Sequence, residues 1–192
     1  VTQGVNKTRK ATVDDVEALV ELTLLARDES PLTTQLCTTQ TPHLSNLLGA
    51  WIGLEGAFLL VAEVDNTIVG FCLVQRVQPN LFSDVAFLQI EGLFVRKEFR
   101  RRGLARNLLT DVVRIAEAED ISHIVTIVLT GARQELRFLA GLGFAPAGAR
   151  RIVDTPTLNR RLTSPHREGR MRGIDELIAR RRRNKEREKA GL

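Results

Sequence analysis

This 192-residue chain has no tyrosine, one tryptophan, one methionine and two cysteines. Cys37 and Cys72 stand without a CxxC pair or a histidine-rich companion, so spacing indicates neither a disulfide framework nor a metal site. Two reduced thiols are expected. No apolar run approaches the ~20 residues of a membrane span. The opening VTQGVNKTRK lacks the apolar centre of a signal peptide. A soluble, cytoplasmic chain with no membrane partner is the expectation. A phosphate loop of the form GxxxxGK followed by Ser or Thr is absent, and so is a complete GxGxxG fingerprint. Walker-type and dinucleotide sites are thereby set aside.

What is present is a core's worth of apolar residues, 43% of the chain, enough for one buried domain and a tail. The net charge of +5 is unevenly placed. Residues 1–166 hold 18 basic and 18 acidic side chains, whereas residues 167–192 hold 10 and 5. A domain over 1–160 and a basic, partly helical extension over 161–192 are therefore expected. In the extension, Glu176 with Arg180 and Arg182 with Glu186 have the four-residue spacing of helical ion pairs. Such runs are most often solvated faces. The sharper alternative is a tail that docks on RNA, the ribosome or another acidic partner. No aromatic interleaves its arginines, so base stacking finds no support.

Apolar periodicity organises the body. After a short extended segment near 5–10, Thr12 is placed to cap a helix, with Asp14 and Asp15 at its positive end. Val16, Leu19, Val20, Leu22 and Leu25 follow at helical spacing. A second helix is expected from about His43. Two β-rich runs flank Asp65-Asn66, the pattern of a hairpin with a tight turn, and DVAFLQIEGLFV (84–95) is a third long strand. Leu104, Leu108, Leu109, Val112, Val113 and Ile115 form one side of a strong helix. SHIVTIVLT reads as a strand buried on both faces. A short helix then ends near Gly141 and Gly143, and a last strand is expected over roughly 144–154. The order predicts an α/β fold with a mixed sheet flanked by helices.

Residues 94–106, FVRKEFRRRGLAR, place six cations in thirteen positions where the third long strand gives way to a helix. The first turn of a helix has free N–H groups and partial positive charge, which favour an anion. Gly103 removes the side chain where a phosphate would approach the backbone, Ala105 keeps the next turn small, and the arginines add charge-assisted hydrogen bonds. Alone, such a loop is as consistent with a solvated basic turn.

Its setting is more specific. Arg100-Arg101-Arg102-Gly103-Leu104-Ala105 resembles the acetyl-CoA signature of the GNAT N-acetyltransferases, Arg/Gln-x-x-Gly-x-Gly/Ala. Glu91 to Val95 resembles that family's central strand. FLAGLGF (138–144) resembles its late Phe-Tyr-x-x-x-Gly-Phe segment, and Arg9 to Thr12 with Asp15 resembles its opening. Together these cover roughly residues 5–155. The resemblance implies a mostly antiparallel sheet with a bulged, splayed central strand. It implies acetyl-CoA as co-substrate, with Leu93, Phe94 and Val95 along the pantetheine arm. Arg100, Arg101, Arg102, Gly103, Leu104, Ala105 and Arg106 would lie around the diphosphate.

The implied reaction is acetyl transfer to a primary amine of a small molecule, peptide or protein. Glu91 is the candidate base, against the plainer reading that it only faces solvent or a substrate cation. The chain departs from the family at the acid. The tyrosine that often protonates the leaving thiolate is replaced by Leu139, and the asparagine seven residues earlier by Ala132. Thr126, Thr130 or a water is left as the substitute. A coenzyme A-binding sensor or scaffold without turnover is therefore the alternative, beside an RNA- or ribosome-associated protein acting through its tail. A homodimer is left open.

Overall fold

The computed structural model describes residues 6–29, 37, 40–126, 133–147 and 153–163. Contacts divide the chain into two compact units, Val1–Phe144 and Ala145–Leu192.

The first unit is a sheet of five strands in sequential order. Strand β1 (Asn6–Lys10) is followed by helices α1 (Val16–Asp28) and α2 (Thr41–Ile52). Strands β2 (Ala57–Val64), β3 (Thr67–Val77) and β4 (Phe87–Val95) come next. Helix α3 (Leu104–Ala118), strand β5 (Ile124–Thr126) and helix α4 (Arg133–Ala140) complete it. The first four strands pair antiparallel, and β5 joins β4 in parallel. Asp65 and Asn66 take φ of 50° and 64°, the paired left-handed residues of a tight hairpin turn, as the sequence predicts.

Two apolar clusters sandwich the sheet. On one side Leu104, Leu108, Leu109 and Val112 of α3 pack on Leu60, Cys72, Leu88, Ile90 and Val95. On the other, Leu19 and Leu22 of α1 with Leu44 and Leu48 of α2 cover Leu59, Val61, Phe71 and Phe94. Cys72 is fully buried, and desolvation pushes its thiol pKa up to about 12. Ile124, Val125 and Thr126 are only half-buried, short of the full burial predicted. Among the described strands β5 has a single neighbour, and the rest of its predicted span lies outside the described residues.

A buried charge cluster fixes the chain's entry into the sheet. Arg9 donates to both oxygens of Asp15 at 2.7 and 2.9 Å and to Glu63 Oε1 at 2.8 Å. The Thr12 amide donates to Asp15 Oδ2 at 2.7 Å, half of a capping box. A three-residue 3₁₀ turn, Val13–Asp15, then leads into α1. The hydrogen bonds from Arg9 draw the Asp15 pKa down to about 2.

In the second unit, helix α5 (Thr155–Thr163) stands beyond the last expected strand. Residues 144–147 and 153–154 are not in strand, and 148–152 lie outside the described residues. The helix has a local cause. Asp154 accepts the Thr157 amide at 2.8 Å, which lowers its own pKa, and Pro156 suits a first turn. The tail beyond residue 163, with its predicted ion pairs, lies outside the described residues. No described helix is long and apolar enough to cross a membrane.

Gly70 lies where β3 meets the end of β4. A Cβ there would stand 2.7 Å from Phe94 O and 3.0 Å from Val95 Cγ2. Gly70→Ala is therefore expected to destabilise the fold by about 1–3 kcal/mol, read as a lower urea midpoint. The Asp15 network gives a second test. Because pairing depresses the folded pKa, its stabilisation is complete above the unfolded value of 3.8 and fades as pH falls towards about 2. Asp15→Asn should unfold more easily than wild type at neutral pH. The gap should close in thermal melts as the pH approaches that lower value.

Candidate active site

Strand β4 carries one residue more than its partner. Leu73 pairs with Gly92 and Val74 with Ile90, so Glu91 is the extra residue of a bulge. Side-chain parity changes there. Leu88 and Ile90 join the α3-side cluster before it, and Leu93 and Val95 do so after it, while Phe94 turns to the α1/α2 side. Without the bulge Phe94 would share a face with Ile90.

Backbone parity changes too. The Arg96 amide donates to Val69 O at 2.9 Å, and Val95 pairs with Gly70. In an antiparallel ladder alternate residues point their polar groups to opposite sides. Residues 92, 94 and 96 therefore face β3, and Leu93 and Val95 turn their N–H and C=O groups the other way. Among the described residues, strand β5 pairs with Leu88, Gln89 and Ile90. Leu93 and Val95 thus have no strand partner on that side among the described residues.

Beyond β4 the chain makes a 3₁₀ turn, Lys97–Phe99, and enters α3 through two left-handed residues, Arg101 (φ 63°) and Gly103 (φ 83°). Alternating handedness of this kind turns successive amides towards a common point. The first α3 amide with a carbonyl acceptor is Asn107, bonded to Gly103 O at 3.0 Å. Those of Leu104, Ala105 and Arg106 have no acceptor among the described residues and are the free donors of a helix start. A Cβ on Gly103 would meet nothing within 4 Å, so the space above the turn is open.

The predicted site residues fall into distinct places. Arg101, Arg102, Gly103 and Arg106 are exposed on the turn, and Ala105 is half-buried. Arg102 also stacks on Phe99, its Cζ 5.1 Å from the ring centroid. Leu104 is buried and Phe94 packs on Phe71 with centroids 6.0 Å apart, so the side chains of both belong to the core. The Arg100 side chain turns back. Its Nε donates to Val95 O at 2.8 Å, and Nη2 donates to Glu29 at 2.8 and 3.0 Å.

Glu91 is exposed and hydrogen-bonds to Gln89. Leu139 is 3% exposed, an apolar core residue at the position of the missing tyrosine. Thr126 is half-buried at the end of β5, whereas Thr130 and Ala132 lie outside the described residues. Two carboxylates escape sequence reasoning. Glu29 requires knowledge of a contact 71 residues away. Glu135, half-buried with its pKa raised by desolvation, stands four before Leu139, the spacing of one helical face.

A strand with outward-turned backbone, ending in an open left-handed turn and a helix start, is the arrangement on which comparison with known proteins bears. The model of the acetyltransferase (GNAT) family matches residues 23–144. The chain belongs to the GNAT acetyltransferase family. Its fold agrees with solved members. A possible acetyltransferase from Clostridium difficile 630 superposes with a TM-score of 0.64 at 18% identity, over 78% of this chain and 97% of that one. For a ribosomal-protein-alanine N-acetyltransferase from Brucella melitensis biovar Abortus 2308 the values are 0.62, 16%, 78% and 99%. An aminoglycoside N-acetyltransferase in complex with CoA gives 0.66, 14%, 79% and 95%. At these identities the likeness is one of fold. No curated protein matches the chain. In this GNAT chain, then, the α/β fold with a mixed, mostly antiparallel sheet is as the sequence predicts.

Proposed function

We propose that this chain transfers the acetyl group of acetyl-CoA to a primary amine of a small molecule, peptide or protein. The observation that carries the reading is the turn from β4 into α3. Left-handed Arg101 and Gly103, followed by the free amides of Leu104, Ala105 and Arg106, bring donors together at a helix start with open space beside Gly103. Exposed Arg101, Arg102 and Arg106 add positive charge. This suits a diphosphate, and the outward N–H and C=O groups of Leu93 and Val95 suit an amide-bearing arm lying alongside as a strand would.

Bound acetyl-CoA supplies an activated acyl group and a thiol leaving group. The protein's own part is proton management and orientation. An alkyl ammonium, with pKa near ~10, must lose a proton before its nitrogen can attack. Glu91, exposed at the bulge, takes that proton directly or through a water. An outward-facing β4 amide donates to the carbonyl oxygen as charge develops there. The C–N bond forms, the C–S bond breaks, and the second proton of the attacking nitrogen passes, directly or through water, to the departing thiolate, of pKa near ~8.5.

Leu139 favours a second reading, binding of coenzyme A without turnover, because no phenol stands ready to protonate the thiolate. Acceptors named for the structural neighbours, a ribosomal-protein alanine and aminoglycosides, illustrate two amine classes suitable for a first panel.

Titration calorimetry with coenzyme A tests the cradle. Wild type should give saturable heat. Gly103→Val, which forces a β-branched residue into the left-handed region, should weaken binding at least about tenfold. No heat from wild type overturns the reading. Thiol release from acetyl-CoA over an amine panel tests the chemistry. Glu91→Gln should lower kcat/KM by about 10²–10⁴, with the deficit shrinking as pH rises towards the amine's own pKa. Saturable coenzyme A binding without release on any amine would establish the second reading.

A further inference from the structure

Helix α1 supplies two acids to the turn that leaves β4. Glu21 Oε1 lies 2.6 Å from Arg96 Nη2. Glu29, at the C-cap of α1, takes two hydrogen bonds from Arg100, with Lys97 Nζ 3.8 Å away. A carboxylate at the C-terminal end of a helix opposes the helix dipole, so local helix preference does not explain Glu29. Arg100 does. Its guanidinium is held on three sides, by the Glu29 carboxylate, by Val95 O, and by the Phe94 ring, with Cζ 5.6 Å from the centroid. The next residue, Arg101, begins the left-handed turn.

We propose that Glu29 is a positioning residue for the cofactor turn, acting through Arg100 to fix where the amides of 101–106 begin. The inference rests on reading that turn as the coenzyme A cradle. Arg100 then serves as a strut and not as a phosphate ligand. It occupies one lone pair of Val95 O and leaves the second available to a ligand lying along β4. Attraction for the diphosphate falls to the exposed Arg101, Arg102 and Arg106.

The sign of one substitution separates this role from general electrostatics. Glu29→Gln removes a negative charge beside an anion site, so charge alone predicts tighter binding of coenzyme A. Positioning predicts the reverse, a dissociation constant raised about three- to tenfold in calorimetry of the full chain. The paired exchange Glu29→Arg with Arg100→Glu tests a merely structural ion pair. It should recover the melting temperature lost in either single variant but not the affinity, because a carboxylate at position 100 cannot donate to Val95 O. Arg100→Lys keeps the charge without the planar fork. It should weaken coenzyme A as Glu29→Gln does, and it serves if the exchange does not fold. Unchanged or tighter binding by Glu29→Gln, or full recovery of affinity in the exchange, overturns the proposal. Absence of heat from wild type would instead bring down the cradle itself, before any substitution is made.

Discussion

One extra residue in β4 governs the rest of the site. Strand geometry allows no half measures, since a side chain or an amide points to one side of the ribbon or the other. By inserting Glu91 between the Leu73–Gly92 and Val74–Ile90 pairs, the chain exchanges both alternations midway along its central strand. Leu93 and Val95 can then bury in the α3-side cluster and Phe94 in the α1/α2 cluster. The backbone groups of Leu93 and Val95 turn away from β3, and no strand among the described residues pairs with them there. The same insertion leaves Glu91 exposed, close in sequence to those outward-turned groups. Packing and the outward turn of these backbone groups thus have one cause.

The basic character of residues 94–106 has a different meaning in three dimensions from the one composition suggests. Arg96 and Arg100 are ion-paired to α1, and Lys97 approaches Glu29. Half of the cations therefore fasten the turn to the helix layer. Such partly exposed pairs stabilise little in isolation. Here three of them act on one short segment that also carries two left-handed residues, so their joint effect is to limit the conformations of that segment. The exposed arginines that remain lie on the outer side, where an anion would arrive.

Local signals were legible and long-range ones were not. Asp65-Asn66 between β-rich runs specified a hairpin turn because left-handed residues at both positions are a local requirement. Thr12 and Asp15 announced a helix start, and the apolar spacing of Leu104, Leu108 and Val112 specified α3. The bulge has no such mark, because QIEGL reads as an uninterrupted strand and only the family resemblance pointed to an irregularity. Glu29 gave no signal, since its partner lies far along the chain. The family resemblance puts Arg100 in the cofactor site without saying where its side chain turns, and the structure directs that side chain to a carboxylate and a carbonyl. The helix after Asp154 has a local signal in Asp154 and Pro156, which the expectation of a strand over roughly 144–154 passes over.

Cys72 sits in β3 opposite Leu60 on one side and Leu93 on the other, sealed from solvent. A thiol so placed is mute towards alkylating reagents while the ribbon stays closed, both because they cannot reach it and because it is scarcely ionised. Its modification rate therefore records how often the middle strands part. The chain carries an internal chronometer for the parting of β3 from its two neighbours, β2 and β4.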